Sequence, residues 1–313
     1  MRASFRFEGE ADEVRIEGSL ETLGESELTL REGVWSTELE VPDDVRAVYW
    51  FALDGEDDWT KWLPDPKNPS RYVYPPGLHF TGEREVVGSM FEGPSAPPRR
   101  WTVERDVPHG RLRQVELDGR RVWLYAPPAP AEAGLLLFDG HEFTLLARTP
   151  TVLDNLLAEG LIPPVAAVLP DSPETERRLR ELGGDPAFLT WCCDRLLPWS
   201  GVEAPPERMV VAGSSIGGRA STWFASERSD LFGRAIVQSG GFPGMPVVVP
   251  AGLPLRFYID VGLLEDMLLE STRVLRDDLR GKGYDVAYQE YPGGHDFFWW
   301  GETIADGLVA LLG

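Results

Sequence analysis

The segment Met209-Val210-Val211-Ala212-Gly213-Ser214-Ser215-Ile216-Gly217-Gly218 joins an apolar run to a glycine-rich turn with a serine at its tip. Met209 to Ala212 predicts a buried strand and Ile216 to Ser226 a helix, so the G-x-S-x-G pattern stands in a strand–turn–helix setting. Such a turn puts Ser215 in a strained backbone conformation at the C-terminal edge of a sheet. Gly213 and Gly217 keep side chains out of so sharp a bend. The N–H groups that open the following helix point to where negative charge would collect on a reacting oxygen.

The elements on either side of this turn alternate. Leu135 to Phe138, Val165 to Leu169, Ala235 to Gln238, Leu255 to Asp260 and Asp285 to Glu290 read as strands. Thr151 to Glu159, Pro186 to Leu197, Glu265 to Arg280 and Thr303 to Leu312 read as helices. Strands that are wholly apolar, separated by helices, predict an α/β fold with a mostly parallel sheet covered on both faces. Arg113 to Leu117 and Arg121 to Tyr125 resemble a hairpin around Asp118-Gly119. Before residue 100 the pattern changes. Ser4 to Phe7, Val14 to Ile16, Trp35 to Val41 and Val45 to Ala52 are short runs between Gly, Asp and Pro clusters, as in half-buried antiparallel strands. Gly93-Pro94-Ser95-Ala96-Pro97-Pro98 reads as a stiff linker. We therefore expect a small all-β sandwich domain over 1–98 and an α/β domain over 99–313, which a length of 313 residues accommodates. The tryptophans of the first domain, Trp35, Trp50, Trp59 and Trp62, read as core residues or as a binding surface.

Thirty basic against 51 acidic residues give a net charge of −21. That field repels phosphate backbones and anionic lipid, so neither nucleic acid nor membrane is an expected partner. The first residues contain no apolar stretch of the kind that opens a secretory signal, and we expect a cytoplasmic location. The only cysteines, Cys192 and Cys193, are adjacent, which suits neither a disulfide nor common zinc spacing; they read as small residues on a buried helix.

A serine hydroxyl becomes a nucleophile only when a base takes its proton. Of the four histidines, His79 lies in the β domain, His109 in a Pro-Gly turn, and His141 just after a strand. Only His295 follows Ser215, in the loop Pro292-Gly293-Gly294-His295-Asp296. The chain order nucleophile, acid, histidine makes it the expected base. The candidate acids are Asp260, which reads as still on its strand, and Glu265 and Asp266 in the loop that follows; the last two are equally placed, each with helix capping as its ordinary role. The expected oxyanion donors are the N–H groups of Ile216 and of His141, which sits in Asp139-Gly140-His141 after the strand at 135–138. Trp299 and Trp300, next to the base, are candidates to line a pocket.

With these residues in place the chain resembles the enterochelin esterase family, within the esterase D and antigen 85 group of α/β-hydrolases. The likeness rests on Leu137-Phe138-Asp139-Gly140, Arg178 with Glu181-Leu182, Leu196-Leu197-Pro198, Gly213 to Gly218, Gln238-Ser239-Gly240, and Gly293-Gly294-His295-Asp296 with Trp300. Asp65-Pro66-Lys67-Asn68-Pro69 resembles a landmark of that family's immunoglobulin-like amino-terminal domain. The resemblance implies an α/β-hydrolase fold and a serine esterase working through an acyl-enzyme on a small-molecule ester, with neither metal nor organic cofactor. It implies Glu265 as the acid, with Asp266 as runner-up, and Arg178 among the substrate contacts. Gly241-Phe242-Pro243-Gly244 stands where siderophore-cleaving members carry aromatic residues and a long insertion, and Gly301 where they tend to carry Arg. With fewer cations, we expect a ferric catecholate to be held less well. Acyl transfer of the antigen 85 type uses the same residues and is the alternative reaction. A non-catalytic carbohydrate-binding protein with a relic hydrolase domain is the alternative outside enzymology.

Overall fold

Alternation of side chains builds the first part of the chain. In the strand β1 (Arg2–Phe7), Ala3, Phe5 and Phe7 are buried while Arg2, Ser4 and Arg6 face solvent, the period-two pattern of a sheet with one wet face. The computed structural model describes residues 1–24 and 26–313. The chain forms two compact units. The smaller comprises Met1–Pro98, Gly262–Asp266 and Tyr291–Asp296, and the larger Arg99–Val261, Met267–Glu290 and Phe297–Gly313.

The smaller unit holds β1, β2 (Val14–Gly18), β3 (Thr29–Arg31), β4 (Val34–Glu40), β5 (Arg46–Leu53), β6 (Arg71–Tyr74) and β7 (Val86–Glu92). They form a three-stranded sheet in the order β1-β4-β3 and a four-stranded sheet in the order β2-β5-β7-β6, with antiparallel pairs throughout. Phe5, Phe7, Ile16, Leu39, Tyr49 and Phe51 meet in one core, which also takes in Leu264. β5 is buried along nearly its whole length, more than the sequence reading expects. The reason is an aromatic cluster on its second face, where Trp50 packs against Trp59, Trp62 and Tyr74 at centroid distances of 6.0–6.1 Å.

The larger unit is an eight-stranded sheet in the order β15-β14-β13-β12-β10-β11-β9-β8. The strands are β8 (Arg111–Leu117), β9 (Arg120–Ala126), β10 (Ala133–Leu137), β11 (Val165–Pro170), β12 (Met209–Ser214), β13 (Arg234–Gln238), β14 (Arg256–Gly262) and β15 (Asp285–Tyr291). β10 to β14 pair in parallel, and the β8–β9 hairpin closes one edge antiparallel. Asp118 (φ 52°) and Gly119 (φ 76°) form its turn, where both central residues need positive φ. The helices are α1 (Gly140–Leu145), α2 (Thr149–Ala158), α3 (Thr175–Leu182), α4 (Pro186–Thr190), α5 (Leu197–Ser200), α6 (Ile216–Glu227), α7 (Asp266–Gly281) and α8 (Phe297–Leu312). A π-helical stretch, Trp191–Leu196, joins α4 to α5 and buries Cys192 and Cys193.

Successive strand residues serve opposite faces. Leu136, Val211, Val237 and Ile259 pack with Phe224 of α6 and Leu279 of α7. Ile236 and Tyr258 face α8 instead, where a Cβ at Gly307 would come within 3.0 Å of both side chains, so only glycine permits that approach. α8 starts at Phe297, six residues before the expected Thr303. Phe297 to Trp300 have ordinary to weak helix propensity, yet all four are buried, and tertiary packing overrides the local preference.

Candidate active site

The chain makes the same move at the C-terminal ends of two neighbouring parallel strands. β10 and β12 are in register with Leu137 opposite Ala212, and Phe138 N–H donates to Ala212 O at 3.0 Å. After β12, Ser215 takes φ 57° and ψ −130° and α6 begins. After β10, Asp139 takes φ 55° and ψ 53° and α1 begins. Positive φ in a residue with a Cβ costs about 1–3 kcal/mol and is kept only where the surroundings impose it.

At Ser215 the surroundings are glycines. A Cβ on Gly213 would lie 2.7 Å from the Gly217 carbonyl, and one on Gly218 would lie 2.6 Å from Gln238 O. That same carbonyl accepts the Ser215 N–H at 2.8 Å. The turn is thus pinned to β13 and can be traversed only by a chain without side chains at 213 and 218. Gly218 and its partner Gly240, 2.7 Å from Gly218 by the same construction, carry a packing role beyond the G-x-S-x-G pattern.

Both helices present an open first turn. The first bonds of α6 and α1 are Arg219 N–H to Ser215 O (3.1 Å) and Phe143 N–H to Asp139 O (2.9 Å). The N–H of Ile216 therefore belongs to the unpaired start of α6, and that of His141 to the start of α1. The His141 ring is buried and stacked on Trp123 (5.9 Å, 16°). Burial, aided by the charge of Arg121, lowers its pKa.

Asp139 is fully buried. Its carboxylate accepts from Ser172 Oγ (2.7 Å), Arg178 Nε (2.8 Å) and Arg178 Nη2 (2.7 Å). Arg178, expected among substrate contacts, has a side chain only 10% exposed and directs its guanidinium at Asp139. Trp299 and Trp300 are core residues of α8, at 4% and 2% exposure. Trp300 Nε1 donates to Ser239 Oγ at 3.1 Å, and its carbonyl accepts from Gln238 Nε2 at 3.0 Å. A side chain at Gly301 would meet Ala147 O and Thr102 Cγ2 within 2.8 Å, which explains why no long residue stands there. Phe242 to Val248 border a cavity of about 530 Å³ with Arg219 and α7. Arg219 donates there to Met245 O (2.8 Å) and Gly183 O (3.1 Å). Neither cysteine is a competing nucleophile: burial holds the Cys192 thiol well above its usual range and pushes Cys193 up to about 12.

Glu265 and His295 lie in the smaller unit, on the segments that follow β14 and β15. His295 Nδ1 is 2.5 Å from Glu265 Oε2. Glu265 is buried, and its other oxygen accepts from Gly262 N–H (2.7 Å) and Tyr291 OH (3.0 Å). Hydrogen bonds to a carboxylate favour its charged form. The His295 side chain is 42% exposed. Asp266, the alternative acid, is an exposed residue in the first turn of α7. Glu265 precedes that helix and turns its carboxylate to Gly262, Tyr291 and His295. The sequence reading does not single out Tyr291 and places Asp139 in a loop. Their partners lie 26 and 39 residues away in sequence, so no local signal exposes them.

An eight-stranded sheet, parallel from β10 to β14, with a strained serine between the central strand β12 and α6, is an α/β-hydrolase fold. A family model described as "Putative esterase" matches residues 120–311. The chain belongs to that family. It is 30% identical over 232 residues to the iron(III) enterobactin esterase of Dickeya dadantii, covering 64% of this chain and 53% of that protein. It is 27% identical over 290 residues to the iron(III) enterobactin esterase of Escherichia coli K12, covering 83% and 70%. The enterochelin esterase of Shigella flexneri superposes with a TM-score of 0.79 at 21% identity, over 99% of this chain and 92% of that one. The ferric enterobactin esterase of Salmonella typhimurium does so with a TM-score of 0.80 at 20% identity, over 99% and 93%. Among the described residues no helix is long and apolar enough to cross a membrane.

Proposed function

We propose that this chain hydrolyses carboxylic esters through an acyl-enzyme, with Ser215 as nucleophile, His295 as base and Glu265 as the acid that orients it. His295 Nε2 takes the Ser215 proton as Oγ attacks the ester carbonyl. The oxygen that becomes negative is met by the N–H groups of Ile216 and His141. His295 returns the proton to the departing alkoxide, leaving an ester on Ser215 Oγ. Water attacks that acyl group in turn, giving its proton to His295, and the carboxylic acid leaves as Ser215 recovers its hydrogen. Glu265 remains ionised and steadies the imidazolium in both halves. Arg178 acts at one remove, holding Asp139 and with it the start of α1.

The observation that carries this reading is the 2.5 Å bond between His295 Nδ1 and Glu265 Oε2 on a ring that stays 42% exposed. A structural histidine in a surface loop has no need of a buried carboxylate fixed by two further donors. The names of the relatives make a catecholate siderophore ester one substrate to test. The charge of −21 and the close packing around Gly301 favour a smaller ester without a large anionic charge.

The test is hydrolysis of p-nitrophenyl esters alongside covalent labelling by a fluorophosphonate. Wild-type protein should be labelled once. Ser215→Ala should lose labelling and at least about 10⁴-fold in kcat. Equal labelling of the variant, or unchanged turnover, would overturn the assignment. A competing alcohol in the same assay separates hydrolysis from acyl transfer.

A further inference from the structure

The segments carrying the acid and the base belong to the same compact unit as residues 1–98. The bonds that hold them there are specific. Arg46 N–H on β5 donates to Pro292 O at 3.1 Å. Leu264 inserts into the sandwich core beside Ile16 and Tyr49. Leu263 N–H donates to Tyr291 O and Leu264 N–H to Gly293 O, both at 2.9 Å, which locks the two segments together. Next to the base, Ser19 Oγ donates to Asp296 Oδ2 at 2.8 Å. The fit is tight: a Cβ on Gly294 would overlap the Ser19 side chain. Ser19 is itself anchored to β5 through its N–H on Val48 O at 3.2 Å.

Asp296 is a buried carboxyl one residue from the base, at 6% exposure. Isolated buried carboxyls are costly, and one is retained where its partner matters. The charged and titratable groups facing it are His295, Glu265 and Tyr74. The bonds that meet it come from the sandwich, from Ser19 Oγ and from the backbone of Val48.

We propose that the N-terminal sandwich positions the acid–base pair, with Ser19 and Asp296 as the positioning residues that fix the 292–296 turn and so the seating of His295 on Glu265. On this view residues 1–98 are part of the catalytic apparatus without touching the reacting atoms. The inference rests on the role given to His295 above, but the Ser19–Asp296 latch and the His295–Glu265 bond lie in one unit and can be tested apart from Ser215.

The experiment uses the full chain with Ser19→Ala, Ser19→Thr and Asp296→Asn. Three readings are taken on each: kcat and KM on a soluble ester, the far-downfield proton resonance of the His295 Nδ1–H, and thermal unfolding. Displacing a catalytic group by an ångström from a distance costs up to about 100-fold. Ser19→Ala should lose on the order of 10-fold in kcat with KM within about twofold, and Asp296→Asn more, both with a shifted or broadened Nδ1–H signal. Ser19→Thr, which keeps the hydroxyl, should recover most of both. Wild-type kcat and an unmoved resonance in Ser19→Ala would overturn the proposal. So would a loss of activity that only tracks loss of folded protein. If Ser215→Ala keeps its activity the nucleophile assignment fails, whereas the resonance still reports on the latch.

Discussion

Replacing Arg178 by leucine probes how the start of α1 is held. Asp139 is completely buried and faces the Arg178 guanidinium through two bonds of 2.8 and 2.7 Å. Burial alone would lower the pKa of Arg178, but the charge of Asp139 and its hydrogen bonds outweigh it and the net direction is up. Removing the cation leaves a carboxylate without its charge partner in a site closed to water. Breaking a buried pair in this way costs about 3–5 kcal/mol. For a unit of this size that corresponds to a drop of about 10 °C in Tm. The deficit should depend on pH with a definite sign. In the variant Asp139 is harder to ionise when folded than when unfolded, so its stability is retained at acid pH and lost as pH rises. Urea unfolding of Arg178→Leu should therefore show a smaller deficit at pH 5 than at pH 8. Asp139→Asn combined with Arg178→Leu removes the stranded charge and should recover part of the loss. Turnover should fall on the order of 100-fold even where the variant is folded, because the His141 N–H is no longer held in place. A pH-independent deficit below about 1 kcal/mol, with turnover intact, would refute both the ionised pair and its role.

Two further outcomes follow from the pair in the smaller unit. Glu265→Gln should cost on the order of 10³–10⁴ in kcat, since an amide cannot hold the required tautomer, while Asp266→Asn stays within about twofold; steady-state kinetics on one ester decides between them. Burial pushes the Asp296 carboxyl up from 3.8 to about 7, against the bond from Ser19 and the charge of His295. A raised carboxyl favours the folded state fully below its unfolded value and loses that contribution as pH climbs to about 7. This is worth about 4 kcal/mol. Relative to wild type, Asp296→Asn should therefore gain stability as pH rises from 4 to 7, measured by urea unfolding at each pH. An unchanged difference across that range would show that Asp296 is ionised throughout.

Local pattern carried the architecture a long way. Five apolar runs separated by helical periods could form only a parallel sheet buried on both faces, and Gly213 to Gly218 could form only a sharp turn, because few backbones satisfy such strings. The strained turn at Ser215 and the start of α6 were therefore legible. Asp118-Gly119 likewise announced its hairpin. Other elements were not legible: α1 spans only six residues, α3 is mostly charged, and the aromatic start of α8 has ordinary to weak helix propensity. The choice between Glu265 and Asp266 is invisible in composition, since both are carboxylates at a helix start. The two differ only in the fold, where Gly262 N–H, Tyr291 OH and His295 Nδ1 meet the Glu265 carboxylate and Asp266 is exposed. The pairing of Arg178 with Asp139, 39 residues away, is likewise invisible in local sequence. The tie between Ser19 and Asp296 spans 277 residues. Pairings at such separations depend on how strands and loops pack in space, and no pattern within a window of sequence encodes them.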